Sequence, residues 1–185
     1  MGNQVIDMMF RSFIFFIPAY LGNMMPVILG RLPRYKKIMV PVDGGKMLAG
    51  ERIFGDHKTW GGLLAGILGG FFAGLLLLLF LNWRIQGDVF GGEQIHFIFQ
   101  ATLLGLGAIL GDMLKSFFKR RLKIAPGKPF VPFDQIDLVV GSWVLVSIFY
   151  PQPIIFLVCG LIITPLLHLG ANIVAFQLKW KNVWY

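Results

Sequence analysis

The chain has 185 residues, 56% of them hydrophobic and 14% charged, with a formal net charge of +8. Its mean hydropathy of +0.72 excludes an ordinary soluble domain and reads as an integral membrane protein, with length for one helical bundle and no second, soluble domain. A single cysteine, Cys159, set in an apolar segment, excludes a disulfide framework and argues against a cysteine metal cluster.

A spanning helix needs roughly 20 apolar residues. On that measure, spans fall near 8–29, 62–82, 97–115, 135–150 and 154–176, so residues 1–185 form one all-α transmembrane domain with five transmembrane helices. The first ten residues carry no Lys or Arg, and no small-residue cleavage site follows, so the first span is expected to be a retained helix and not a signal peptide. Pro18 and Pro26 each remove a backbone hydrogen bond inside it and predict a broken or kinked span. Asn23, between them, is expected either to bond a neighbouring helix or to form a polar notch that admits part of a substrate.

Segment 41–61 reads PVDGGKMLAGERIFGDHKTWG. Its glycines at 44, 45, 50 and 55 rule out a long regular helix. Asp43, Lys46, Arg52, Asp56, His57, Lys58 and Thr59 crowd it with chemistry, yet the spacing of a phosphate-binding Walker loop is absent. Gly62, Gly66, Gly70 and Gly74 then form a small-xxx-small stripe, a packing face within or between chains, with Gly107 and Gly111 as its expected counterpart. In the last span His168 and Asn172 share a face, which more often marks a helix contact than a catalyst. The closing KWKNVWY reads as an interfacial anchor.

Loop charges orient the bundle. Segments 30–61 and 116–134 and the tail are rich in Lys and Arg, whereas 83–96 has only Arg84 against Asp88 and Glu93, and 151–153 has no charge. The positive-inside rule places the basic loops and the C-terminus in the cytoplasm and the N-terminus outside.

The densest chemistry is GDMLKSFFKRRLKIAPGKPFVPFDQID, residues 111–137. In a helix, Asp112, Lys115, Ser116 and Lys119 fall at i, i+3, i+4 and i+7 and share one face. Asp134 and Asp137 pair at i, i+3 at the head of the next helix. Carboxylates bind hard cations such as Mg²⁺, and Lys and Arg bind phosphate, so the stretch points to phosphoryl or nucleotidyl transfer at a membrane surface. Three converging acids repel one another and need a cation. The simpler alternative is ion pairing with Lys115, Lys119 or Arg120, with Asp134 as a helix cap.

PAYLGNMMP (18–26), PVDGGK (41–46), GERIFGDHKTWGG (50–62), GDMLKSFFKRRL (111–122), PFDQID (132–137) and H-x-x-x-N (168–172) together resemble the CDP-archaeol synthases, membrane cytidylyltransferases that use CTP and an isoprenoid ether lipid phosphate. More distantly, Gly111-Asp112, Ser116-Phe-Phe-Lys119-Arg120 and Asp134-Gln-Ile-Asp137 are similar to the CDP-diacylglycerol synthase signature, although that family's Lys-Asp pair falls here on Ala125-Pro126. The resemblance implies that Asp112, Asp134 and Asp137 bind Mg²⁺. It implies that Lys119, Arg120 and Arg121 hold phosphates, beside Lys115 and Ser116. It further implies that Lys58, with Asp56 and Thr59, closes the site and that Asn23 lines the lipid entry. The partners it implies are CTP, a lipid phosphate (isoprenoid ether, or diacyl as the alternative) and the cell membrane, with no nucleic acid. A CDP-alcohol phosphotransferase is disfavoured, because Asp43-Gly44 is not followed by Ala-Arg or a D-x-x-x-D run. A small transporter lined by Asn23, His168 and Asn172 is disfavoured because the charges gather at one surface and no inverted repeat is visible.

Overall fold

The structure is a computed structural model that describes residues 2–81, 83–91 and 94–177. Most of it lies in six helices: α1 (Gly2–Leu29), α2 (Trp60–Phe80), α3 (Trp83–Phe90), α4 (Gln94–Arg121), α5 (Phe133–Phe149) and α6 (Ile154–Gln177). The loop before α2 contains a 3₁₀ turn, Tyr35–Ile38, and a small antiparallel hairpin, β1 (Met47–Leu48) with β2 (Glu51–Arg52). Three of the helices are long and apolar enough to cross a membrane: α1 over Asn3–Leu29, α2, and α4 over Ile95–Arg121. The closing Trp, Tyr and Lys anchor, Glu93, and the side chains of Arg84 and Asn172 lie outside the described residues.

Four details depart from the sequence expectations. First, of the break or kink expected at Pro18 and Pro26, the break does not occur: α1 is one continuous helix. Packing overrides the lost hydrogen bonds, because Ile14, Phe15, Phe16, Pro18 and Ala19 are all buried against the rest of the bundle. Second, residues 83–90 form α3 and not a loop. Val89 and Phe90 are buried there, Phe90 meets Phe97 edge-on at 4.3 Å, and Gly91 at φ +64 ends the helix. Third, α4 continues past 115 to Arg121. No Gly or Pro interrupts this run, and the basic side chains favour a helix C-terminus. Fourth, the glycine stripe of α2 does not meet Gly107 and Gly111. A Cβ on Gly66 or Gly70 would crowd Gly105, and one on Gly74 would stand 2.8 Å from the Cβ of Ala101.

The glycines therefore set helix spacing twice. Gly22 of α1, Gly66, Gly69 and Gly70 of α2, and Gly105 of α4 let three backbones touch, and a Cβ on Gly22 would lie 2.6 Å from the Gly105 Cα. Gly107 and Gly111 of α4 instead face Gly141 and Ser142 of α5, so that a Cβ on Gly111 would overlap the Asp137 carbonyl. Ser142 donates to the Leu104 carbonyl at 2.9 Å across the same seam. The remaining helix, α6, covers α1 and α5, tied by Ser12 to the Phe156 carbonyl at 2.9 Å and by Tyr20 to Thr164 at 2.8 Å.

Gly105→Leu is expected to overpack the α1–α2–α4 contact and to cost roughly 1–3 kcal/mol or more. It should lower the thermal unfolding midpoint in detergent. Gly87→Ala, where an added Cβ meets nothing within 4 Å, should leave the midpoint unchanged or raise it slightly.

Candidate active site

Because Gly111 and Gly141 allow α4 and α5 to touch, the acids of the two helices meet. Asp112, Lys115, Ser116 and Lys119 share one face of α4, as their spacing predicts, and all four line one cavity. Asp134 lies in the first turn of α5 and Asp137 one turn on. Lys115 joins them: its Nζ is 3.0 Å from Asp112 Oδ1, 3.2 Å from Asp134 Oδ1 and 2.7 Å from Asp137 Oδ2. Lys58 adds a second cation to Asp112, and Lys119 lies 3.4 Å from Asp134 while donating to the Lys128 carbonyl. Asp134 does not cap α5. Pro132 holds that position, and Asp134 instead accepts the Phe130 N–H at 2.5 Å.

Among the described residues, no three His, Cys, Asp or Glu side chains stand ready to hold a metal ion. The acids turn to Lys115 instead, as the ion-pairing alternative anticipates. Their chemistry still suits a hard divalent cation, since three carboxylates offer oxygens within 3.2 Å of one point, now held by a monovalent ammonium.

The loop before α2 brings Lys58 to this cluster. Two backbone hydrogen bonds close its neck, Val42 N–H to the Lys58 carbonyl at 2.8 Å and Trp60 N–H to the Val40 carbonyl at 2.9 Å. Ala49 and Gly50, at φ 52 and 82, turn the hairpin as a two-residue type I′ turn requires. Buried Asp43 gathers the rest. It accepts the N–H groups of Gly45, Phe54 and Gly55 at 3.0–3.1 Å and pairs with Arg52 at 2.5 Å. The Arg52 guanidinium, and then these N–H groups, hold the Asp43 carboxyl well below the usual carboxylate range despite its burial.

Three spaces meet at the ionic cluster. The first is a polar cavity of about 340 Å³ between the loop and α4, edged by His57, Lys58, Arg120 and Gly127. The second is an apolar groove of about 440 Å³ between α4 and α5, walled by Leu114, Phe118, Ile136, Val140 and Val144 and ending at Lys115 and Asp137. The third is a cleft among α1, α5 and α6 that holds Asn23, Thr164 and His168 and reaches Asp134 and Asp137.

Most residues singled out from sequence come together here, but two do not. Arg121 is not among the cavity walls: it donates to the Arg52 carbonyl at 2.6 Å and lies 5.0 Å from the Phe117 ring centroid, pinning the hairpin to α4. Thr59 is the N-cap of α2, accepting the Gly62 N–H at 3.0 Å. Asn23 lines the third cleft, which reaches Asp134 and Asp137. Asp56 lines the cavity rim but is paired with Arg52 at 2.6 Å. Among the described residues, Arg120 has a buried Nε without a partner beside the cavity. Sequence reasoning missed Asp43 as the organiser of the loop, and His57 and Arg52 as cavity walls. The signal was the crowding of glycines with paired acids and bases.

A charged cavity and a greasy groove that share a wall can serve one substrate only if that substrate is itself amphiphilic. The protein is a multi-pass membrane enzyme. The family model described as "CarS-like: CDP-archaeol synthase" matches residues 5–185. The CDP-archaeol synthase of Thermofilum pendens is 38% identical over 175 residues, covering 94% of this chain and 79% of its own. That of Methanococcus aeolicus is 36% identical over 98% of this chain and 99% of its own. A solved structure, described as an intramembrane enzyme for archaeal membrane lipids biosynthesis, superposes with a TM-score of 0.68 at 36% identity over 86% of this chain and 91% of that one. The chain belongs to the CDP-archaeol synthase family.

Asp43→Asn is expected to speed amide hydrogen exchange over residues 43–58 and to lower activity about tenfold by loosening Lys58, with little effect on bundle melting. Unchanged exchange in this loop would show that Asp43 does not hold it. A depressed carboxyl pKa contributes stability above the unfolded value, roughly 3.9, and loses it only as pH falls through the still lower folded value. Loop protection in the unsubstituted protein should therefore be flat from about pH 5 to 8, once intrinsic exchange is corrected.

Proposed function

We infer that the protein transfers CMP from CTP to a membrane lipid phosphate, 2,3-bis-O-geranylgeranyl-sn-glycerol 1-phosphate, giving CDP-archaeol and pyrophosphate in phospholipid biosynthesis. The observation that carries this reading is the junction at Lys115, where a cation-rich cavity meets an apolar groove in a chain whose relatives are CDP-archaeol synthases.

The triphosphate belongs in the polar cavity, where Lys58, Lys119 and Arg120 face its oxygens and stabilise charge as it moves to the leaving group. The lipid chains belong in the groove between α4 and α5, with the phosphomonoester at its ionic end. One lipid phosphate oxygen attacks the α-phosphorus of CTP. A new P–O bond forms as the α–β bridging P–O bond breaks, and pyrophosphate leaves with that electron pair. The attacking phosphate is already anionic, so no side chain has to remove a proton and no covalent enzyme intermediate is needed. Asp112, Asp134 and Asp137 would hold Mg²⁺, which when bound neutralises charge on the attacking and leaving oxygens.

Five membrane spans, with the basic loops in the cytoplasm and the N-terminus outside, fit this chemistry, since CTP is cytosolic. In support, both basic segments lie at one end of the bundle, joined by the Lys58–Asp112 pair and by Arg121 on the hairpin. The cell membrane is the expected location.

Purified protein with Mg²⁺ and cytosine-labelled CTP should move label into the organic phase with the isoprenoid ether lipid phosphate, and far less with diacyl phosphatidate. Asp134→Ala should reduce that transfer about 100-fold or more. No label with either lipid, from folded and monodisperse protein, would falsify the reading. Label with phosphatidate alone would move the protein to diacyl lipids. Val144→Trp, which fills the groove, should raise the KM for lipid several-fold and leave that for CTP unchanged.

A further inference from the structure

Lys115 holds a place that no other described residue shares. Its ammonium contacts one oxygen of each of the three acids, and it is the one residue common to the walls of the polar cavity and the apolar groove. Its side chain is only 14% exposed. Asp112 and Asp134 each have a second cationic partner, Lys58 and Lys119. Among the described residues, Asp137 has only Lys115.

One ammonium among three carboxylates is a placeholder. A divalent ion would bind these oxygens at about 2.0–2.1 Å, leaving no room for a lysine nitrogen about 3 Å from the same oxygens. Two cations so close in a partly buried site repel strongly. The lysine need not travel far, because its flexible four-carbon stem already borders the groove.

We propose that Lys115 is a displaceable internal cation: it holds the three acids together in the substrate-free enzyme, gives them up when the divalent ion and nucleotide load, and then captures the lipid phosphate at the mouth of the groove. This rests on the reading of the three acids as metal ligands. It also sets an order. Before loading, the groove ends at Asp137 and at a lysine already engaged by three carboxylates, a poor receptor for a phosphate dianion. After loading, the same mouth presents a released ammonium. Nucleotide and metal bind first, lipid second.

The test is Mn²⁺ binding to the substrate-free protein, followed by the electron paramagnetic resonance of free Mn²⁺. Lys115→Met keeps the stem and removes the charge that competes for the acids, so it should bind Mn²⁺ about tenfold or more tighter than the unsubstituted protein. Lys115→Gln, which retains hydrogen-bond donors toward the acids, should shift the same way and serves if the Met variant does not fold. Adding Asp137→Asn should abolish the gain. Equal Mn²⁺ affinity with and without the Lys115 substitution, still sensitive to Asp137→Asn, overturns the displacement and leaves the acids as ligands. Mn²⁺ binding insensitive to Asp137→Asn in every protein overturns the metal reading and the displacement with it. In the lipid assay, the Lys115 variants should raise the KM for lipid phosphate more than that for CTP. A rise confined to CTP overturns the capture step.

Discussion

The constraint on which the molecule depends is electrostatic: three carboxylates share one end of an apolar bundle, and three ammoniums must be brought to them. Asp112, Asp134 and Asp137 are balanced by Lys58, Lys115 and Lys119. Removing such charges from water costs several kcal/mol per ion unless partners are close and well placed. Each partner arrives by a different route. Lys115 and Lys119 come with Asp112 on one helix face, whereas Lys58 comes from 54 residues earlier, on a loop whose shape depends on Asp43.

Glycine makes the balance possible in space. An ammonium can bridge α4 and α5 only if the helices nearly touch, and they do so where Gly111 meets the Asp137 backbone and Gly107 meets Gly141. A side chain at Gly111 would push Asp137 away from Lys115. The stripe on α2 serves the same end at one remove, by locking α4 against α1 and α2 and so fixing the helix that carries most of the cluster. The α2 stripe lies within the chain, which settles one use of it without reference to a second copy.

Much of this was legible in the sequence, and the misses share a cause. Residues bound by one short period, such as Asp112 through Lys119 or Asp134 with Asp137, were readable because helical geometry alone puts them on a face. Partnerships between distant segments were not. Nothing in the spacing says that Gly105 answers Gly66 and Gly70, or that Arg121 serves the Glu51–Arg52 hairpin and not a phosphate. At Pro18 local propensity alone does not tell a break from a continuous helix; there the buried face of α1 keeps the helix whole. Thr59 misled: a hydroxyl beside charged residues looks like a ligand but caps the next helix.

The same charge balance explains why such a site can sit beside lipid before substrate arrives. Three carboxylates against three ammoniums leave the cluster formally neutral, so the three acids carry no uncompensated charge into a low-dielectric setting, where a lone ion would be costly. On the proposed mechanism, bound reactants would exchange partners within this cluster: phosphate oxygens would take over the lysines, and a divalent ion would take over the acids. An enzyme that joins a water-soluble triphosphate to a membrane lipid needs strong fields at the reacting phosphorus and none exposed to hydrocarbon when idle. Internal ion pairs that can be traded for substrate meet both needs.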